Sequence, residues 1–232
     1  MLMAVKAVLF DLDNTLMDFL RMKTMSCEAA ITAMIDAGLP LDKEKAMATL
    51  WKLYQKHGIE YPTIFQKFLL ETLGRVDYKI LASGIIAYRR VKAGFTEPYP
   101  YVLQTLIRLR ERGYRLAVVS DAPRMKAWLR LAGMGISDFF DAVITMDDAG
   151  GKLKPDPRPY KSALEKLGLK PAEVIFVGDN PNRDILGAKR LGIRTVLAKY
   201  GEWTEAEEKS LRPDFEIGSI RDLLGVLERL KG

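Results

Sequence analysis

The feature that most constrains the fold is a short apolar run that stops abruptly in acid. Val5–Phe10 is almost continuously apolar and runs straight into Asp11-Leu12-Asp13-Asn14-Thr15. A half-exposed strand alternates apolar and polar residues. An uninterrupted run reads as a strand covered on both faces, the usual state of a parallel sheet between two helix layers. The same grammar returns after Pro98 and Pro100. Helical spacing over Tyr101–Arg112 closes at Gly113, and Leu116–Val119 is a second short apolar run ending in Ser120-Asp121. Then come a helix over Met125–Ala132, a strand over Ala142–Thr145 and a Gly/Pro/Lys loop over Gly150–Pro159. A helix follows over Tyr160–Leu167 and a strand over Val174–Val177, which ends in Gly178-Asp179. A helix over Asp184–Leu191, strands over Thr195–Ala198 and Phe215–Ile217, and a helix over Ile220–Leu230 complete the chain. Alternation of this kind predicts an α/β fold, a doubly wound parallel sheet of Rossmann-like form.

Between the first strand and the rest the pattern changes. Met25–Ala37, Lys43–Lys56, Thr63–Leu73 and Tyr78–Val91 carry apolar residues at helical spacing, punctuated by Gly38-Leu39-Pro40, His57-Gly58 and Leu73-Gly74. No strand is expected there. The expected organisation is a sheet domain from residues 1–17 and 95–232, interrupted by an all-helical insert over residues 18–94. Trp51, Tyr54, Phe65 and Phe68 are spaced as helix core, and Phe19, Tyr61 and Trp128 are candidates to face a ligand.

Composition removes whole classes. Of 232 residues, 48% are apolar and 28% charged, so disordered and fibrous chains are excluded. No apolar run reaches the length of about 20 residues that a membrane span needs, and Met1–Phe10 is too short for a signal peptide. A single cysteine, Cys27, excludes an intrachain disulfide and a cysteine zinc cluster. A cytoplasmic protein is expected. The net charge of +6 could serve nucleic acid or a small anionic substrate, but it is dispersed without a dense Lys/Arg block and reads first as a general bias; a nucleic-acid partner is not expected. Oligomeric state is not legible.

Ligands of an open α/β sheet bind beyond the carboxyl ends of its strands. Asp11 and Asp13 follow the first strand, Ser120 and Asp121 the second, Lys154 lies in the loop after the third, and Asp179 follows the fourth. Asp11 and Asp13 are two apart, so in an extended segment their side chains point the same way. Taken singly, Asp-x-Asp is most often a turn or cap, Ser-Asp a helix cap and Lys154 a solvated lysine. Together, each at a strand end, they describe one crevice. Three carboxylates there repel one another unless a hard divalent cation joins them, and Mg2+ binds through carboxylates, water and phosphate oxygens. Lys154 and the Ser120 hydroxyl suit the oxygens of a phosphoryl group.

The stretches Val8-Leu9-Phe10-Asp11-Leu12-Asp13-Asn14-Thr15-Leu16, Val118-Val119-Ser120-Asp121, Lys154-Pro155-Asp156-Pro157 and Val177-Gly178-Asp179-Asn180, continuing to Asp184, resemble the four motifs of the haloacid dehalogenase superfamily. The order matches, the resemblance covers essentially the whole chain, and it points to the phosphatase branch with a helical C1 cap after the first motif (subfamily I). The similarity extends to archaeal hydrolases described as small sugar-phosphate phosphatases. The resemblance implies that Asp11 is the nucleophile forming an aspartyl-phosphate and Asp13 the leaving-group acid. It implies Mg2+ held by Asp11, the Asp13 backbone carbonyl and Asp179, with Ser120, Asp121 and Lys154 on the phosphate and Asp184 and Asn180 behind the ligands. The insert would close as a lid, hinged at Gly94 and Asn14–Met17, and read the rest of a small ester such as a triose phosphate or phosphoglycolate.

Two residues depart from the family pattern. Asn14 stands where Gly is frequent, and Asn tolerates the left-handed region. Asp121 stands where Asn is common, and its carboxylate must turn away from a phosphate. Within the resemblance, 2-haloacid dehalogenation is the rival chemistry. It needs no leaving-group acid, so Asp13 argues for phosphoryl transfer. A phosphomutase would use the same residues, and a non-enzymatic relative would ordinarily have lost one of them. A receiver domain is about half this length. Nucleotide-binding glycine motifs are missing, and Cys27 and His57 form no catalytic arrangement.

Overall fold

The structure, a computed structural model, describes residues 4–207 and 211–230. Strand β1 (Ala7–Phe10) is followed by four helices, α1 (Phe19–Asp36), α2 (Lys43–His57), α3 (Ile64–Leu73) and α4 (Tyr78–Gly94). Then come α5 (Val102–Glu111), β2 (Arg115–Val119), α6 (Arg124–Gly133), β3 (Ala142–Ile144) and α7 (Pro157–Leu167). The chain ends with β4 (Val174–Gly178), α8 (Leu186–Arg190), β5 (Arg194–Ala198), β6 (Phe215–Ile217) and α9 (Leu223–Arg229). It divides into two compact units, Met1–Asp18 with Glu97–Gly232, and Phe19–Thr96.

The first unit is the α/β fold expected from the apolar runs. Among the described residues it has six strands, all parallel, in the order β3-β2-β1-β4-β5-β6. The chain leaves β1 towards β2 and β3, then crosses back to add β4 on the other side. β1 therefore flanks the point where the winding reverses, and a crevice opens there at the carboxyl ends of the strands. Val8, Leu9, Phe10, Val118, Val119, Phe176 and Val177 are wholly buried, so both faces of the central strands are covered. One face packs Ala7, Leu9, Ala117, Val119, Val174 and Phe176 against Tyr160, Ala163 and Leu167 of α7 and Ala188 of α8.

Helix α9 begins at Leu223, after a 3-10 turn over Ile220–Asp222, and two further boundaries in this unit differ from the periodicity. Helix α7 begins at Pro157, not Tyr160. Asp156 caps it by accepting the Arg158 N–H, and proline is tolerated in a first turn because those N–H groups have no intrahelical partner. The helix expected from Asp184 is a wide π-helical turn over Pro181–Ile185 that leads into α8. Asn180 starts that turn by accepting the N–H groups of Asn182 and Arg183.

The second unit is four helices around their own core, with Ile31, Met34, Leu50, Phe68, Leu69 and Ile80 among the buried residues. Helix α1 starts at Phe19, six residues before the apolar pattern suggests. Its buried stripe runs Phe19, Met22, Ser26, Ala30 and Met34 with Lys23 beside it, and the polar members mask the periodicity. Asp42 and Asp77 cap α2 and α4 by accepting backbone N–H groups one turn on. Gly84 lets α4 approach α1 closely, since a Cβ there would lie 2.2 Å from the Met34 terminal methyl. Cys27 is buried in this core. Among the described residues no helix is long and apolar enough to cross a membrane.

Candidate active site

Strand register assembles the site. Phe10 pairs with Val118 on one side and Val177 on the other, so Asp11, Ser120 and Asp179 emerge beside one another at the sheet edge. Asp11 keeps the ladder for one more step, its N–H donating to the Val177 carbonyl at 2.8 Å. Beyond it the chain makes a tight turn with Asn14 in the left-handed region at φ 61°. A Cβ on Gly201 would lie 1.7 Å from the Asn14 carbonyl oxygen, so the close approach of these two segments requires glycine there. The Tyr200 hydroxyl donates to the Thr15 carbonyl at 2.8 Å, and the Thr15 hydroxyl donates to Asp179 Oδ1 at 3.2 Å.

Asp11, Asp179 and Asp184 converge, with one carboxylate oxygen of each within 4.8 Å of the others and all three buried. Lys154 is buried among them. Its Nζ bonds Asp11 Oδ1, lies 2.8 Å from Asp184 Oδ1 and donates to the Val119 carbonyl at 3.0 Å. Burial alone would lower the ammonium pKa. Asp11, then Asp184 and Asp121, outweigh it and hold Lys154 well above the usual lysine range. The carboxylates show the opposite balance. Burial, then the charges of Asp184 and Asp11, push Asp179 up to about 9, and burial also raises Asp184 despite Lys154. Gly178 is needed beside this group, because a Cβ would sit 2.5 Å from Asp184 Cβ.

Even with Lys154 among them, the three carboxylates are short of positive charge. Asp11 Oδ2 and Asp179 Oδ2 are buried without a hydrogen-bond partner among the described residues, an expensive state for carboxylate oxygens. An all-oxygen, acidic donor set of this kind fits a hard divalent cation.

The other residues singled out by sequence fall around this centre. Ser120 is buried and its Oγ accepts the Ala122 N–H at 3.1 Å. Asp121 turns its carboxylate into the scaffold: Oδ1 accepts the Lys154 N–H at 2.9 Å and Oδ2 faces an Arg183 nitrogen at 3.4 Å. It thereby secures the loop that delivers Lys154. The Asn180 N–H donates to Asp184 Oδ2 at 3.0 Å, which orients that carboxylate. Asp184, expected behind the ligands, is itself a member of the carboxylate group. The Asp13 side chain is not, since its Oδ2 accepts a hydrogen bond from Arg130 at 2.7 Å.

Arg130, Arg183 and Thr15 belong to the site without carrying a motif role. Arg130 has a legible signal, a charge on the apolar face of an amphipathic helix alongside Ala127 and Leu131. Arg183 has none, because the π-helical turn that aims it is not readable from periodicity. It is surrounded by Asp184, Asp11, Asp121 and Asp179, whose charges raise its pKa against the effect of burial.

Residues 5–192 match the family model for haloacid dehalogenase-like hydrolases. Over 227 residues the chain is 37% identical to a glyceraldehyde 3-phosphate phosphatase of Methanocaldococcus jannaschii, covering 98% of this chain and 99% of that protein. It is 39% identical to the glyceraldehyde 3-phosphate phosphatase of Methanothermobacter thermautotrophicus, covering 97% and 100%. Among solved structures, a HAD phosphatase from Thermococcus onnurineus superposes with a TM-score of 0.70 at 26% identity, covering 96% of this chain and 98% of that one. With the carboxylate cluster and its lysine in place, these likenesses mean that the chain belongs to the haloacid dehalogenase-like hydrolases and is an enzyme of their phosphatase branch.

Proposed function

We propose that this phosphatase hydrolyses small phosphomonoesters, with glyceraldehyde 3-phosphate or a similar three-carbon phosphate as the substrate to test first, and that the cation it uses is Mg2+. The substrate class rests on what the relatives are called. The chemistry rests on one observation above the others: a buried lysine joined to two of three converging carboxylates, with two carboxylate oxygens lacking a hydrogen-bond partner among the described residues.

In this reading Asp11 attacks phosphorus in line, forming the Asp11 O–P bond as the ester P–O bond breaks. Asp13 gives its proton to the departing alkoxide. Water then attacks phosphorus, Asp13 takes a proton from it, and inorganic phosphate leaves with Asp11 restored. Lys154 holds the Asp11 carboxylate in place and, with the Ser120 hydroxyl and the backbone N–H of Asp121, offsets charge on the phosphoryl oxygens. Asp11, Asp179 and the Asp13 carbonyl would hold the cation, oriented by Asp184, Asn180 and Thr15. When bound it shields the nucleophile from the phosphate's charge. The helical unit, Phe19–Thr96, would govern which esters are accepted. A cytoplasmic setting suits a soluble metabolite, and the dispersed basic charge gives no footprint for nucleic acid.

The test is a comparison of kcat/KM for glyceraldehyde 3-phosphate, phosphoglycolate, glycerol phosphate and p-nitrophenyl phosphate, with Mg2+ and with excess chelator. Activity on the three-carbon esters that vanishes on chelation and returns with Mg2+ is expected. Full activity under chelation would sink the metal role, and halide release from 2-haloacids at comparable efficiency would sink the phosphatase reading.

A further inference from the structure

Arg183 lies beside the carboxylate cluster, and its hydrogen bonds do not explain why it is an arginine. Its backbone is pinned on both sides. The N–H donates to Asn180 Oδ1 at 3.1 Å, and the carbonyl accepts from the Tyr160 hydroxyl at 2.8 Å. The π-helical turn over Pro181–Ile185 thus holds the residue in a fixed place, one position before Asp184 of the cluster. The guanidinium itself is poorly bonded. Nη1 stands 3.4 Å from Asp121 Oδ2, at the outer limit of a hydrogen bond, and Nε is buried with no partner among the described residues. A buried, unsatisfied N–H lowers stability. What surrounds the residue is opposite charge. Asp184, Asp11, Asp121 and Asp179 together outweigh the effect of burial on its ionisation. Taken formally, these four carboxylates face Lys154 and Arg183, which leaves two negative charges uncompensated within the group.

We infer that Arg183 sets the charge balance of the cation site: it holds the deficit at two, the charge of one divalent ion, and so limits how tightly the carboxylates grip that ion. The inference rests on the cation role proposed above. Its physical basis is Coulombic. A guanidinium among the carboxylates lowers the negative potential that draws a cation to them. Without Arg183 the same carboxylates would keep only Lys154, and an arriving ion would meet a group one charge more negative. The Arg183 side chain is 36% exposed, so solvent screens part of this effect. The sign is what separates this role from a packing role. Losing a residue that merely holds the turn in shape would loosen the ligands and weaken binding of the ion. Losing a competing positive charge would strengthen it.

The experiment is calorimetric titration of Mg2+, without substrate, into chelator-stripped wild type, Arg183→Met and Arg183→Lys at one pH and ionic strength. Arg183→Met should bind Mg2+ about tenfold more tightly than wild type. Arg183→Lys keeps the charge and should stay within about threefold of wild type. Unchanged or weaker Mg2+ binding by folded Arg183→Met would overturn the inference. So would tightening in Arg183→Lys as large as in Arg183→Met, because the shape of the side chain and not its charge would then be what counts. If Arg183→Met fails to fold, Arg183→Gln, which keeps a polar head without the charge, reads the same difference against Arg183→Lys. Wild type that binds no Mg2+ would bring down the cation reading and this role with it, and the wild-type titration tells that failure apart from the others.

Discussion

Replacing Asp179 with asparagine should stabilise the metal-free protein while removing its response to metal. Asp179 is 0% exposed, and burial, then Asp184 and Asp11, push its carboxyl up to about 9 from an ordinary 3.8. An aspartate raised in the folded state takes up a proton on folding. Below pH of about 3.8 both states hold that proton and nothing is lost. Above it only the unfolded chain ionises, so stability declines with rising pH until the folded carboxyl ionises near 9. At pH 7 the gap is about three pH units at about 1.4 kcal/mol each, or about 4 kcal/mol of lost stability. Asparagine keeps the Oδ1 that accepts from Thr15 and cannot ionise. The assay is urea unfolding of chelator-treated wild type and Asp179→Asn at several pH values, read as the difference between them so that groups outside the carboxylate cluster cancel. The variant should be the more stable, with an advantage that grows by about 1.4 kcal/mol per pH unit between pH 5 and pH 8. Saturating Mg2+ should narrow or reverse that advantage, since a ligand at 100 times its Kd adds about 2.7 kcal/mol to the wild type alone. A difference that is flat in pH, or a variant less stable than wild type at pH 8 without metal, would refute the account of the cluster as an uncompensated set of charges.

Three further outcomes follow from named contacts. Lys154→Met should cost about 3–5 kcal/mol in urea unfolding at pH 7, because Asp11 and Asp184 lose their buried partner, and should lower kcat by about a hundredfold or more. Gly178→Ala should lose about 1–3 kcal/mol and most kcat/KM, since the new methyl would displace the Asp184 carboxylate; wild-type kinetics in this variant would contradict the packing. Asp121→Ala should lower kcat/KM by about tenfold through the Lys154 loop. Asp121→Asn should restore most of it, because asparagine keeps an acceptor for the Lys154 N–H; an Asn variant as poor as Ala would mean the charge beside Arg183 is what counts.

Local pattern carried much of the candidate site. Asp11, Ser120, Lys154 and Asp179 are visible as polar residues that end or follow apolar runs, and a sheet wound around β1 brings such ends to one edge. Asn14 was readable for a similar reason, as its left-handed φ of 61° is a property of the turn itself. Patterns fail where a side chain's role depends on a neighbour distant in sequence. Asp121 looked like an unwelcome carboxylate until its partners, the Lys154 N–H and Arg183, came from two other loops. The start of α1 was hidden because Lys23 and Ser26 lie on its buried stripe.

Chain chemistry alone was enough to set the layered parallel sheet, the helical insert and the acidic edge, because strand and helix periods and strand-end acids are local facts. Which carboxylates share charge was settled by packing. Asp184 joins Asp11 and Asp179 because a π-helical turn and the bare Cα of Gly178 let it in. Asp13 turns to Arg130, a residue 117 positions away, because α6 lays that guanidinium beside it. Electrostatic partners are fixed by distances in space, and those exist only once the sheet has closed its register.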